Sequence, residues 1–222
     1  MKMAKHWWKI LAVLLLFYVI TAGFWVKVPA IENNEQTTRN LFFHVPMWIS
    51  MYTLFGISVV YSLLFLSKYD LKRDIVASSA ANVGVLFGLM GFVTGSLWAT
   101  YTWGGTITND PKQISTAVAL LIYLAYLVLR MSINDIDKRA RVSAIYNVFA
   151  FALLIPLTYI LPRMVDSLHP GSVSSPGFKS SDTDGTLMRV FYPAMLAWTL
   201  LGLWIFNLRV RYKKLELKNI FK

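Results

Sequence analysis

The chain contains six long apolar runs, near residues 8–28, 43–67, 77–101, 112–131, 142–165 and 187–209, and they restrict the fold more than any other feature. A hydrocarbon layer about 30 Å thick takes about 20 helical residues to cross, and each run has that length. Backbone amides and carbonyls find no water in lipid, so a spanning segment is either a helix or a strand of a closed barrel. Barrel strands alternate apolar and polar residues, whereas these runs are continuous. The sequence therefore predicts an all-α integral membrane protein, a six-transmembrane-helix bundle with a single membrane domain over residues 1–222. The longest gap, residues 166–186, is rich in Gly, Ser, Pro and Asp and reads as an exposed loop.

The basic residues set the expected orientation. The first run follows Lys2, Lys5 and Lys9, like the start of a secretory signal, but it is longer than a signal core and is followed by Trp25 and Lys27 at interface depth. It is read as a retained anchor. With a cytoplasmic N-terminus, sixteen of the 22 Lys and Arg residues fall on the cytoplasmic side. The other six, Lys27, Arg39, Lys112, Arg163, Lys179 and Arg189, are balanced by Glu32, Glu35, Asp110, Asp166, Asp182 and Asp184. The outer face is then neutral and the whole net charge of +11 lies inside, with both termini cytoplasmic. That charge follows from topology and contact with anionic membrane lipids, and gives no reason to invoke nucleic acid.

Two of the three histidines share the outer face. His44 stands in the run HVPMW at the entrance of the second span, where Pro46 suits a first helical turn. His169 follows the fifth span in DSLHPGS. Neutral imidazole is a common ligand of haem iron, and a pair from opposite sides gives a six-coordinate centre. The plainer alternative for each is an interfacial histidine bonded to a headgroup or a carbonyl. The third, His6, lies among lysines on the cytoplasmic side. Cysteine is absent, so no disulfide, CxxC redox centre or thioether attachment of haem is available. Between the third and fourth spans, Asp110 is placed as an N-cap, with Pro111 at the first helical position and Gln113 three residues after the cap, a capping-box variant. Trp98, Tyr101 and Trp103 form either an aromatic platform for a porphyrin or an interfacial aromatic belt.

The third span carries Gly84, Gly88, Gly91 and Gly95 on one helix face, which lets another helix or a flat ligand approach closely, helix packing being the favoured reading. Asn82 and Asn147 are read as interhelical hydrogen-bonding residues and Pro156 as a kink in the fifth span. There is no metalloprotease helix motif, P-loop or Gly-x-Ser-x-Gly elbow, and no paired intramembrane carboxylates. The chemistry reads as binding, not as an enzyme's.

The order of these pieces resembles the CcmC family of haem-handling proteins from cytochrome c maturation: HVP at the second span, GSLW followed by TWG and DPKQ, then LPRMVDSLHPG after the fifth span. The resemblance covers roughly residues 40 to 210. It implies a bundle with a tryptophan-rich WWD loop on the outer side of a bacterial cytoplasmic (inner) membrane. Haem b, transiently and non-covalently bound, would dock against Trp98, Trp103 and Asp110, with His44 and His169 as axial ligands. It also implies delivery of haem to a CcmE-like haem chaperone, beside a CcmA/CcmB ABC transporter and a CcmD-like small protein. Arg39, Lys112 and Arg163 are placed by side as partners for the haem propionates. The chain departs from the family pattern where Gly105, Thr106, Ile107, Thr108 and Asn109 stand in place of several aromatics. Each missing ring removes about 0.5 to 1.5 kcal/mol of contact beyond burial, so a weaker haem site or another mode of presentation is expected.

Two other functions fit a membrane bundle. A cytochrome b-like electron-transfer anchor ligates haem from histidines inside its spans, and none lies in a span interior here. A small-solute carrier would use the glycine face and the asparagines as a path, and the absence of charge near span centres weakens ion coupling but leaves a neutral solute open.

Overall fold

The computed structural model describes residues 6–28, 35–169 and 185–220. Lys2, Lys5, Glu32, Lys222 and most of the expected 166–186 loop, with Lys179, Asp182 and Asp184, lie outside the described residues. The described chain is helical without strands. In order it forms α1 (Trp7–Trp25), a single turn α2 (Glu35–Thr38), α3 (Leu41–Lys68), α4 (Leu71–Trp103), α5 (Pro111–Ser132) and α6 (Ile136–Ile155). A π-helical turn (Pro156–Ile160), α7 (Leu161–Met164) and α8 (Gly185–Ile220) complete it. Six segments are long and apolar enough to cross a membrane, with Ile136–Met164 counted as one.

Caps explain why the helices outreach the apolar runs. Asp70 precedes α4 and accepts the Lys72 amide at 2.9 Å, while Asp135 precedes α6 and accepts the Lys138 amide at 2.6 Å. Each satisfies an otherwise orphaned first-turn donor, so both helices begin in polar sequence, six residues before the apolar run. Helix α4 also continues through Trp103 and stops only where Gly104 takes φ +74. Trp98 and Trp103 are therefore helical, and the loop proper is short, residues 104–110. Pro156 has no N–H to bond within the helix, and the chain widens there into the π turn, at the position where the sequence predicts a kink.

Helices α3 and α4 run against each other along the glycine face. A Cβ on Gly84 would come within 2.6 Å of the Phe55 ring, on Gly88 within 2.5 Å of Leu120 and 2.8 Å of Met51, on Gly91 within 3.0 Å of Trp48, and on Gly95 within 2.5 Å of His44. The missing side chains are thus the space that α3, with Leu120 of α5, occupies, and the face serves helix packing. Phe55 in turn stacks on Tyr123 of α5, with ring centroids 3.6 Å apart and planes 8° from parallel. Asn147 of α6, fully buried, donates to Ser58 and Ser62 of α3 at 2.8 Å each, the expected interhelical bond. Asn82 donates to Ser78 within its own helix and accepts from Arg209 of α8, a second interhelical bond.

This packing yields a sharp contrast between two glycines. Gly84→Ala drives a methyl into a ring clamped by Tyr123 and should cost about 1–3 kcal/mol, the range for overpacking. Gly56→Ala meets nothing within 4 Å and should leave stability unchanged or slightly raised. Thermal unfolding of both variants in detergent measures the difference, and equal melting temperatures would contradict the close approach.

Candidate functional site

A cavity of about 290 Å³ opens between α3, α4, α5 and the π turn, with His44, His169, Lys112 and Arg163 in its wall. His44 is carried by the first turn of α3. Its Nδ1 lies 2.9 Å from the Gly91 carbonyl oxygen and 3.3 Å from the Thr94 hydroxyl. A carbonyl only accepts, so the proton resides on Nδ1 and Nε2 keeps its lone pair. That lone pair is already engaged, because the Trp48 indole N–H donates to it at 3.2 Å.

His169 is held differently. Asp110, whose side chain is fully buried, collects five hydrogen bonds. One carboxylate oxygen accepts the amides of Lys112 and Gln113 at 3.0 and 3.2 Å, capping α5, and also His169 Nδ1 at 2.8 Å. The other accepts the Ser167 hydroxyl at 2.7 Å and the Leu168 amide at 2.8 Å. The N-cap anticipated from sequence is thus also the orienting carboxylate of the histidine. Gln113 does not close a capping box; its carbonyl oxygen accepts from Thr108 N and Oγ1 at 2.7 and 2.9 Å, and its amide donates to Thr106 O at 2.8 Å. It folds the loop 104–110 onto α5. With Nδ1–H committed to the carboxylate, His169 presents an unencumbered Nε2 among the described residues. A carboxylate behind one ring nitrogen fixes the tautomer and raises the basicity of the other, the usual support of a metal-ligating histidine.

The tryptophans stand on His169 and not on His44. Trp103 meets its ring edge-on at 4.6 Å between centroids, Trp98 at 6.3 Å, and the two indoles pack together at 4.9 Å. They are half-buried, whereas Tyr101 is 74% exposed and outside this group. Of the three cations placed by side, Lys112 and Arg163 reach the cavity. The Arg163 guanidinium lies 3.6 Å over the Tyr159 ring and donates to the Tyr159 carbonyl. Arg39 is elsewhere: it donates to the Gly23 and Val26 carbonyls at 2.8 Å each, satisfying the C-terminal end of α1.

Three participants were not legible as such in the sequence. Trp48 is four residues after His44, and that i,i+4 spacing on one helix face was the available signal. Tyr52, another turn on, donates to Thr158 at 2.6 Å and ties α3 to the π turn that forms the cavity wall. Ser167 had no signal, since its bond to Asp110 spans 57 residues.

Burial lowers the His169 imidazole below its ordinary value, and the Lys112 ammonium adds to this; the opposing pull of Asp110 does not restore it. Burial works to raise the Asp110 carboxyl, but the hydrogen bonds from Ser167 and Leu168, with the nearby imidazole, outweigh it and hold the group below the usual carboxylate range. The pair therefore rests as neutral imidazole and carboxylate, and the imidazole is in the form that can ligate a metal.

The family model described as cytochrome c assembly protein matches residues 2–169. Among curated proteins, "Heme exporter protein C" of Bradyrhizobium diazoefficiens is 29% identical over 168 residues, covering 74% of this chain and 63% of that protein. The proteins of that name from Paracoccus denitrificans and Rhodobacter capsulatus are 25% and 26% identical over 143 and 163 residues, covering 64% and 73% of this chain and 59% and 67% of theirs. The match spans about three-fifths to two-thirds of the length of these relatives.

Both members of the His169–Asp110 pair sit below their unfolded values, so the folded protein binds fewer protons than the unfolded chain. Stability contributed by His169 is present above about pH 6.5 and falls as pH drops below it, with the Asp110 contribution lost at lower pH still. Asp110→Asn replaces one acceptor with an NH2 group facing donors and should cost about 1.5–3 kcal/mol, as for a lost charged hydrogen bond. Thermal unfolding of parent and variant across pH 5 to 8 checks both statements. A parent melting temperature that rises on acidification would overturn the first.

Proposed function

The chain belongs to the cytochrome c assembly protein family, and from that membership we propose that it is a haem-handling membrane protein of cytochrome c maturation. Haem is its cargo, taken at the cavity between His44 and His169 and handed on to a CcmE-like chaperone beside CcmA/CcmB and CcmD-like partners. The observation that carries this reading is the donor set: a neutral imidazole, anchored through Nδ1 on a buried carboxylate, with its Nε2 on a cavity wall. Relatives named for haem export support the same cargo. The basic residues cluster at the end of the bundle away from this cavity, which supports cytoplasmic termini and a haem site on the periplasmic face of a bacterial inner membrane.

The residues present fit haem at its iron and at its propionates. Lys112 and Arg163 in the cavity wall supply cations for carboxylates, and Trp98 and Trp103 brace the His169 ring. Arg39, committed to the end of α1, is left out of this set. At about 290 Å³ the cavity is at the lower edge of ligand pockets, about 300–1,000 Å³. A porphyrin is received there in part and not enclosed, which suits cargo that must be passed on.

The two imidazoles are not equivalent. His169 is ready to donate its lone pair, whereas His44 is latched by the Trp48 N–H. Haem is therefore taken first by His169, and His44 joins only when Trp48 releases it.

An absorption spectrum of the detergent-purified protein after haem loading tests the site. The His44→Ala, His169→Ala double variant should lose the Soret band, and retention equal to the parent would sink the assignment. Trp48→Phe removes the competing donor, worth about 0.5–1.5 kcal/mol. It should shift retained haem from five-coordinate towards six-coordinate and tighten binding by about two- to tenfold. An unchanged coordination ratio would remove the latch while leaving the histidine assignment standing.

A further inference from the structure

A second, larger cavity of about 510 Å³ lies at the other end of the bundle, between α4, α5, α6 and α8. Its charged wall residues are mostly paired. Arg130 grips Asp74 bidentately at 2.8 and 2.5 Å, and Lys213 holds Glu216 at 2.6 Å. Two arginines remain without a carboxylate. Arg209 donates only to the neutral Asn82 side chain at 2.9 Å, and the half-buried Arg139 guanidinium has no partner among the described residues. The cavity thus carries an excess of two positive charges, with Arg139 half-buried and Arg209 exposed at its mouth.

Two further observations describe what the charges await. The Ser79 hydroxyl, on the cavity wall and 1% exposed, has no hydrogen-bond partner among the described residues; a buried polar atom left this way costs stability unless something binds it. Next to the cavity, and sharing Asn82 and Arg209 with it, runs a groove of about 500 Å³ lined by Val83, Leu86, Ile205 and Leu208. A basic chamber with an unsatisfied hydroxyl, continuous with an apolar groove on the flank of a spanning helix, matches an amphiphile with an anionic head and a hydrocarbon tail.

We propose that this cavity is a binding site for an anionic phospholipid. Its phosphate lies between Arg139 and Arg209 with the Ser79 hydroxyl as an additional donor, and an acyl chain follows the groove along Val83 and Leu208. A basic pocket between membrane helices is a known kind of headgroup site, and guanidinium groups match phosphate oxygens in geometry as well as charge. A free phosphate would use the chamber and leave the groove without purpose. The site is separate from the histidine cavity and shares no wall residue with it.

The experiment is native mass spectrometry of the full chain, delipidated in mild detergent and titrated with phosphatidylglycerol, phosphatidylcholine or inorganic phosphate. Phosphatidylglycerol adducts should form at least tenfold more readily than phosphatidylcholine adducts, and Arg139→Gln with Arg209→Gln should remove that preference. Arg139→Gln alone provides a second variant whose folding is not at stake, since its side chain holds no protein partner among the described residues, and it should show a partial loss. Equal adducts in parent and variants would overturn the proposal. Displacement of phosphatidylglycerol by equimolar inorganic phosphate would assign the site to a free anion, and displacement by haem would assign it to a second carboxylate-bearing cargo; either result overturns the lipid.

Discussion

The approach of α3 to the glycine face of α4 positions everything else in the bundle. At Gly84 and Gly88 the absent side chains admit Phe55 and Met51, which build the core with Tyr123 and Leu120. One and two turns further on, the same face admits Trp48 and His44. His44 is therefore set in place by the same contact that holds the bundle together. In a bilayer, where lipid tails are as apolar as the side chains, such shape-matched packing replaces the hydrophobic effect as the force between helices. Gly95 is part of that seam and part of the site at once, because a methyl there would occupy the imidazole's position.

Asp110 performs the matching task on the other side of the cavity. A buried carboxylate is costly unless its lone pairs are filled, and five donors from two chain segments fill them. It starts α5, closes the segment after α7 back onto α5, and orients His169. The π turn at Pro156 contributes by shaping the cavity wall, where Thr158 is bonded to Tyr52. The site is thus assembled from α3 and α4 on one flank and from α5 with the segment after α7 on the other. Its two imidazoles differ in readiness because one is backed by a carboxylate and the other is latched by an indole.

The bundle has a different chemistry at each end. The histidine end gathers neutral imidazoles, indoles and two cations around a small cavity; the basic end gathers arginines around a larger one that runs into an apolar groove. The first supplies the donors on which the proposed haem site rests, and the second those on which the proposed headgroup site rests.

The sequence alone determined the six helices, because run length and continuity reflect the thickness of lipid and the need to satisfy backbone groups within it. It also revealed the glycine face, the Asp110 cap and the two histidine motifs, all of which are local in the chain. Tertiary structure decided which of these meet. Trp98 and Trp103, open between platform and belt, pack on His169; Arg39, placed by side with Lys112 and Arg163, turns to the end of α1. Gln113 bonds the loop before α5 instead of closing the box. The Asp110 bond to His169 spans 59 residues and the Gly95 approach to His44 spans 51. No local pattern encodes such pairings, since they depend on the rotation and depth at which separate helices pack.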